Sequence, residues 1–308
     1  MLRAFFVSLS ENRSLRNFAE RSALGRRVSG RFVAGTEISD AVRVTQAVNR
    51  AGMQVSIDNL GENVTNPDEA RHSAQLYHQL LDAIEANQLN ANISLKLTHM
   101  GLDVDEALAR ELVGKLVARA AAMNPPGFVR VDMEGSPYTQ RTLDFVHELH
   151  RMPGNGNSVG TVIQAYLKRS ESDVEKLLAE GIRIRLCKGA YKEPASIAFE
   201  SKADVDTNFI KLMKILMKSG IYHGIASHDE NIIRQGKTFA TREKIPPDAF
   251  EFQMLYGIRR DLQQSLVREG WRIRVYVPFG TEWYPYFMRR LGERPANVFF
   301  IARNLLRA

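Results

Sequence analysis

From Val55 onward, short runs rich in Val, Ile and Leu alternate with longer stretches whose apolar residues recur at helical spacing. The short runs predict strands over Val55–Asp58, Ile93–Leu97, Phe128–Asp132, Thr161–Tyr166, Arg183–Cys187, Tyr222–Ser227, Phe250–Leu255 and Arg272–Val277. Between them the pattern predicts helices from Pro67 to Ala86, Asp105 to Met123, Thr139 to His150, Ser172 to Glu180, Ala203 to Ser219, Glu230 to Arg242 and Leu262 to Glu269. The Pro125-Pro126-Gly127 cluster and the stretch from Gly154 to Gly160 punctuate the chain as loops. Before this rhythm the chain reads helical to about Asp40, and Thr36 and Ser39 offer N-caps for a helix from Ala41 to Ala51. A last helix starts near Trp283 and runs to Arg290 or beyond.

Eight strands separated by helices predict an α/β fold, a closed (βα)8 barrel of the TIM type. Such a barrel takes about 250 residues, so the chain divides into an N-terminal helical segment, 1–52, and a barrel domain, 53–308. A doubly wound open sheet is the rival. It would carry a Gly-rich phosphate turn after an early strand, and no GxGxxG occurs.

Composition narrows the classes. The chain has 308 residues, 44% of them hydrophobic and 25% charged, ordinary values for a folded domain. Its formal charge is +7, but the basic residues are scattered, with no Lys/Arg block and no aromatic stacking platform. A nucleic-acid-binding protein is therefore the weak alternative, and a solvated basic surface the plain one. Cys187 is the only cysteine, so no intramolecular disulfide forms, which suits a reducing, cytoplasmic setting. The opening MLRAFFVSLSENRSL has an apolar patch too short to span a membrane and no cleavage signal.

In a barrel, function gathers where the strands end. Those ends carry Asp58 and Glu62, Lys96, Asp132 and Glu134, Gln164, Arg185 and Lys188, His228, Gln253, and Tyr276. Asp58 and Glu62 read best as partners of nearby basic groups or as loop caps. Lys96, inside the apolar run SLKLT, must snorkel or meet an anion, and Asp132 on the next strand is its natural partner. His228 lacks any second ligand at HxH or HExxH spacing, so no metal is expected. Cys187 stands in an apolar strand, where a packed, inert thiol is the usual outcome. There is no GxSxG elbow.

The segment after the last strand, WYPYFMRRLGERPANVFF, says most. Arg289 can pair with Glu293 four residues on, leaving Arg290 free, and an arginine fork suits a carboxylate. A solvated helix is the bland reading of an RR pair. Trp283, Tyr284, Tyr286 and Phe287 argue instead that this helix is packed. With Lys96, it predicts a cationic pocket for a small anion.

Four segments taken together resemble the bacterial monofunctional proline dehydrogenases: SLKLT around Lys96, VIQAYLKR around Gln164, RIRLCKGAY from Arg183 to Tyr191, and YFMRRLGERPAN. The resemblance runs from about Val55 to Arg303. It implies a distorted (βα)8 barrel that holds FAD at its strand ends, with the final helix above the active site. It further implies oxidation of L-proline to Δ1-pyrroline-5-carboxylate, hydride passing to flavin N5 and electrons to a quinone. Residue by residue, it implies that Lys96, Arg289 and Arg290 bind the proline carboxylate, and that Tyr276, Leu255 and Tyr191 shape the ring pocket with Asp132 nearby. Arg185 would lie by flavin N5 and Gln164 by the isoalloxazine edge. Cys187, Lys188 and Gly189 would hold the ribityl–phosphate region, with Ser227 and His228 toward the adenosine. Arg185, Asp132 and Tyr276 are thus the expected catalytic residues. A quinone acceptor implies a cytoplasmic enzyme in peripheral contact with the inner face of the cell membrane, a use for the basic surface.

Cys187 stands where family members commonly have Val, and ERPAN replaces the more usual ERPEN. The enzyme alternative is a flavin-free barrel lyase or aldolase using Lys96 as a Schiff-base amine.

Overall fold

The computed structural model describes residues 30–293, with side chains to Met288. The chain runs α1 (Ile38–Arg50), β1 (Gln54–Asn59), α2 (Pro67–Ala86), β2 (Ala91–Leu95), α3 (Glu106–Ala121), β3 (Val129–Val131), α4 (Ser136–Arg151) and β4 (Val159–Gln164). It continues with α5 (Ser170–Ala179), β5 (Arg183–Cys187), α6 (Lys202–Lys218), β6 (His223–Ala226), α7 (Glu230–Arg242), β7 (Phe250–Leu255), α8 (Arg260–Arg268), β8 (Ile273–Phe279) and α9 (Trp283–Glu293). All eight strands are parallel and pair in sequence order, and β8 closes on β1 from Gln54↔Arg274 to Asn59↔Phe279. The expected closed α/β barrel is the fold.

Element ends differ from the pattern where a local rule was outweighed. α4 starts at Ser136 rather than Thr139, because Pro137 lies in the first turn, where its missing N–H costs nothing. β4 starts at Val159, inside the stretch read as a loop, with Gly160 paired to both Arg130 and Arg183. β2 stops at Leu95, so Lys96 follows the strand instead of lying within it.

The helix facing β1 and β8 is not the one that follows β8. α1 packs there, adding Ala41, Val44 and Val48 to the main core, and so takes the place an eighth barrel helix would fill. α9 is left at the carboxyl rim, where Trp283, Tyr284, Tyr286 and Phe287 cluster with Phe32, Val33, Leu60 and Ile258. The segment just before α1 thus staples the last helix to the loops after β1 and β7. Of the segment expected at 1–52, residues 1–29 lie outside the described residues.

Branched apolar side chains usually fill a barrel of this kind. Here they point outward, Ile57, Ile93, Val131, Ile184, Phe252 and Val275 joining the layer beneath the helices. The interior is polar. Ser56, Ser94, Arg130, Arg185, Glu251, Gln253 and Arg274 are all buried; Arg185 bonds across the barrel to Ser56 and Ser94, while Arg274 meets Glu251 on the neighbouring strand. Gly224 on β6 leaves room for one of them, since a Cβ there would lie 2.2 Å from the Gln253 amide nitrogen.

On the helix side, His223 is 1% exposed; its Nδ1 accepts from Ile184 N at 3.0 Å and its Nε2 lies 3.0 Å from Ser219 Oγ. Burial, with Arg130 and Arg183 nearby, pushes its pKa down to about 3, and burial beside Lys96 pushes that of His99 to about 4. A depressed histidine stabilises the fold fully above its unfolded pKa of about 6.5, and that stability is lost as pH falls through the folded value. Asp58, pushed up to about 6 by burial, works the other way between about pH 4 and 6. The two histidines outweigh it, so urea unfolding should give a stability several kcal/mol lower (on the order of 3–5) at pH 4 than at pH 7. His223→Gln, which keeps neutral hydrogen bonding, should flatten this dependence.

Candidate active site

One guanidinium organises the carboxyl end of the barrel. Arg185, 6% exposed on β5, donates from Nε to Gln253 Oε1 at 2.5 Å and from Nη2 to Ser56 Oγ at 3.0 Å. Its Nη1 donates to Asp132 Oδ1 at 2.8 Å and to Ser94 Oγ at 3.0 Å. The partners come from β1, β2 and β7, with Asp132 just past β3, and the Tyr276 ring of β8 lies 5.3 Å from the guanidinium carbon. A side chain on β5 reaches such partners only across the interior. Asp132 accepts as well from Ser94 Oγ at 2.6 Å and from the Tyr276 hydroxyl at 3.2 Å. Burial beside Asp58 and Asp132 lifts Tyr276 well above an ordinary phenol, so it stays a donor.

Lys96 corrects an expectation. Its ion-pair partner is Glu62, at 3.2 Å, and Asp132 is engaged by Arg185 instead. The cause is the end of β2 at Leu95: beyond it Lys96 leaves the strand register and reaches the loop after β1. Burial pushes the Lys96 ammonium down, but Asp58, Glu62 and Asp132 outweigh it and hold its pKa above the usual lysine value. Asp58 is 1% exposed, with Oδ1 3.1 Å from the Tyr77 hydroxyl; that hydroxyl also lies 2.8 Å from Ser94 O. Glu62 pairs as the sequence suggested, while Asp58 meets a buried phenol.

The opposite side of the rim is quieter. Gln164, at the end of β4, donates to Met133 O at 3.0 Å and Glu134 O at 3.2 Å, and its buried Oε1 has no partner among the described residues. Glu134 ties the turn after β2 to this place, accepting from Thr98 N and Thr98 Oγ at 3.1 and 2.6 Å. After β5 the chain turns at Gly189, φ +104°, so close to Tyr166 that a Cβ would lie 2.1 Å from its ring. Only glycine fits there. Lys188 pairs with Asp206 at 2.5 Å and Asp229 at 3.1 Å. Cys187 is partly buried, and burial pushes its thiol up to about 11, far from a nucleophile at neutral pH. Ser227 Oγ accepts from Asp229 N at 3.1 Å, and His228 Nε2 accepts from Leu255 N at 2.9 Å.

Tyr191 is exposed on the loop after β5, and Leu255 lies between the rim and the Phe32 cluster. Arg289 and Arg290 lie on α9, and their side chains, like the expected pairing with Glu293, fall outside the described residues. Among the described residues no group of three His, Cys, Asp or Glu is placed to hold a metal, and no helix is long and apolar enough to cross a membrane.

Ser56, Ser94, Glu251 and Arg274 escaped the sequence reading, which took only the last residues of each strand. Alternation carried through whole strands would have found them, because residues two apart share a face. Gln54-Ser56-Asp58, Ser94-Lys96, Arg130-Asp132, Glu251-Gln253 and Arg274-Tyr276 are polar rows of that kind. A depression of about 590 Å³, bordered by Arg183, Tyr222, Arg272 and Arg274, opens at the amino end of the barrel, and none of the predicted site residues borders it.

The family model for proline dehydrogenase matches residues 41–303, most of the chain. The chain belongs to the proline dehydrogenase family. It is 42% identical to proline dehydrogenase 1 of Bacillus subtilis (strain 168) over 308 residues, covering the whole of both chains. It is 41% identical to proline dehydrogenase of Deinococcus radiodurans over 280 residues, 90% of this chain and 89% of that one. Among solved structures it is similar to proline utilization A (PutA) from Bdellovibrio bacteriovorus inactivated by N-propargylglycine, with a TM-score of 0.80 and 25% identity. That match covers 87% of this chain but 32% of that larger one. Membership fits the site as built, an enzyme's buried charge network at the carboxyl ends of barrel strands.

Proposed function

We propose that this chain oxidises L-proline to Δ1-pyrroline-5-carboxylate, with FAD held at the strand ends and a quinone as final acceptor. The observation that carries this reading is the Arg185–Asp132–Tyr276 network with the Lys96 ammonium beside it, in a member of this family. When bound, FAD supplies the two-electron oxidant, accepting hydride at N5. The residues present suit it. Gln164 Oε1 is a buried acceptor awaiting an N–H, as an isoalloxazine edge would provide, and the Gly189 turn brings backbone to the rim where a side chain could not stand. In this reading the backbone at Cys187 and Gly189 holds the ribityl–phosphate region, with Ser227 and His228 toward the adenosine. Lys188 is already balanced by Asp206 and Asp229, so a phosphate there would share it with them.

The rest is the work of the chain's own residues. Lys96, with Arg289 and Arg290 of α9, binds the proline carboxylate, and charge-assisted contacts of this kind set the ring's orientation. Tyr276, Leu255 and Tyr191 shape the space around the ring. Arg185 holds positive charge where electrons arrive, and Asp132 and Tyr276 fix its position. Lys96 stays protonated, since three carboxylates hold its pKa high. That favours a carboxylate-binding role and disfavours a Schiff-base lyase, which needs a free amine. In this reading proline loses its amine proton to solvent, and kcat/KM should rise with pH. The basic surface suits peripheral contact between the barrel domain, 53–308, or its N-terminal helical segment, 1–52, and an anionic bilayer on the cytoplasmic side.

Purified protein should be yellow, absorbing near ~450 nm as a flavoprotein does, and anaerobic L-proline should bleach it. A colourless protein that takes up no FAD overturns the reading. Turnover unchanged from pH 6 to pH 9 overturns the proposed route of the proton.

A further inference from the structure

We infer that Gln253 is a positioning residue for Arg185, its orientation dictated by the buried Glu251 beneath it. The inference rests on the functional reading above for what Arg185 does, but not for how it is held. Gln253 and Glu251 are 4% and 2% exposed, two apart on β7, and so on one face of the strand, turned into the barrel.

The chemistry of the pair leaves the amide one orientation. Glu251 Oε1 lies 2.5 Å from Gln253 Nε2, and an ionised carboxylate only accepts. The amide nitrogen must therefore face Glu251. The amide oxygen then faces Arg185 Nε, also at 2.5 Å, and the guanidinium only donates. Glu251 is held ionised: burial pushes it up, but Arg274 and the donors around it bring it below the usual carboxylate value. Its Oε1 accepts from Arg274 Nε at 2.7 Å and its Oε2 from the Tyr222 hydroxyl at 2.7 Å. Arg274 is itself fixed by Val55 O at 2.8 Å and by Gln54.

A chain of bonded side chains thus runs up the barrel axis, from Arg274 and Tyr222 through Glu251 and Gln253 to Arg185. Nε is the Arg185 nitrogen nearest its stem, so the bond to Gln253 sets the rotation of the planar fork. The Nη groups then meet Ser56, Ser94 and Asp132 without further choice. Among the described residues the Gln253 side chain bonds to Arg185 and Glu251 and to no proposed substrate-binding side chain; it acts through the arginine.

Two substitutions test this. Gln253→Met keeps the length and removes both bonds. It should lower kcat roughly tenfold with the proline KM within about twofold, the pattern of an interaction felt in the transition state. Gln253→Glu places a second carboxyl against Glu251, where two like charges cannot both persist. The neutral acid restores both a donor to Glu251 and an acceptor for Arg185; the ionised form still accepts from Arg185 but repels Glu251. The ratio of variant to parent kcat should therefore rise at least about fivefold from pH 9 to pH 6.

A third reading is independent of proline. In [15N]arginine-labelled protein the Nε–H of Arg185 should exchange slowly with solvent, and Gln253→Met should speed that exchange at least about tenfold. Unchanged exchange in Gln253→Met overturns the inference, whatever the substrate proves to be. So does a kcat within twofold of the parent in a protein that does oxidise proline, or a Gln253→Glu ratio that does not change with pH. A parent that exchanges slowly yet leaves proline untouched counts against the functional reading alone.

Discussion

Arg185→Met should lower the rate of flavin reduction by L-proline about 10²–10³-fold, the usual cost of removing one preorganised group that stabilises charge developing in the transition state. Stopped-flow bleaching under anaerobic conditions separates this from product release and from the acceptor. The substitution also leaves Asp132 without its cation. Ser94 and Tyr276 still donate to that carboxylate, so the stability loss should sit near the low end for a broken buried pair, about 3 kcal/mol. A variant that folds, binds FAD and is reduced at more than a tenth of the parental rate would remove Arg185 from the proposed mechanism.

The largest stability effect should come from Glu251, two hydrogen bonds removed from the proposed catalytic arginine. Glu251→Leu removes the acceptor of three buried donors, on Arg274, Gln253 and Tyr222, and leaves the Arg274 guanidinium inside the barrel without a counter-charge. Breaking a buried pair in this way costs about 3–5 kcal/mol. In a domain of this size each kcal/mol lowers the melting temperature by about 2–4 °C, so the fall should be on the order of 10 °C. Calorimetry of Glu251→Leu beside the double variant Glu251→Leu/Arg274→Met gives the sign of the argument. The double variant should recover part of the loss, because the uncompensated charge is gone; an additive loss would mean that packing, not charge, holds this layer.

Both predictions depend on groups that the sequence displayed unevenly. Arg185 was legible, because it closes the RIR pattern of a recognisable strand and carries the family's KGAY a few residues on. Glu251 was not. In FEFQML it reads as one charge within an apolar strand, and nothing local says that Arg274, 23 positions later, will stand against it. Lys96 shows the limit differently. Its need for an anion was plain from burial in SLKLT, yet its partner proved to be Glu62, because the strand ended one residue before it. Asp132, the partner that pattern suggested, is claimed by an arginine two strands away. α1 makes the same point for architecture: its apolar face was readable, but not that it would cover β1 and β8 while α9 moved to the rim.

By itself the sequence determined the period-2 and period-3.6 rhythm, and hence eight strands, their helices and a parallel barrel. It also determined the family, through four motifs in order. Those properties are local, fixed by residues within a few positions of one another and by side-chain direction along a strand or helix. Only the tertiary structure decided which charges meet. Closing the barrel brings β5 within reach of β1, β2 and β7, and a buried charge must take whatever partner that closure offers, since an unpaired one costs more than any local preference.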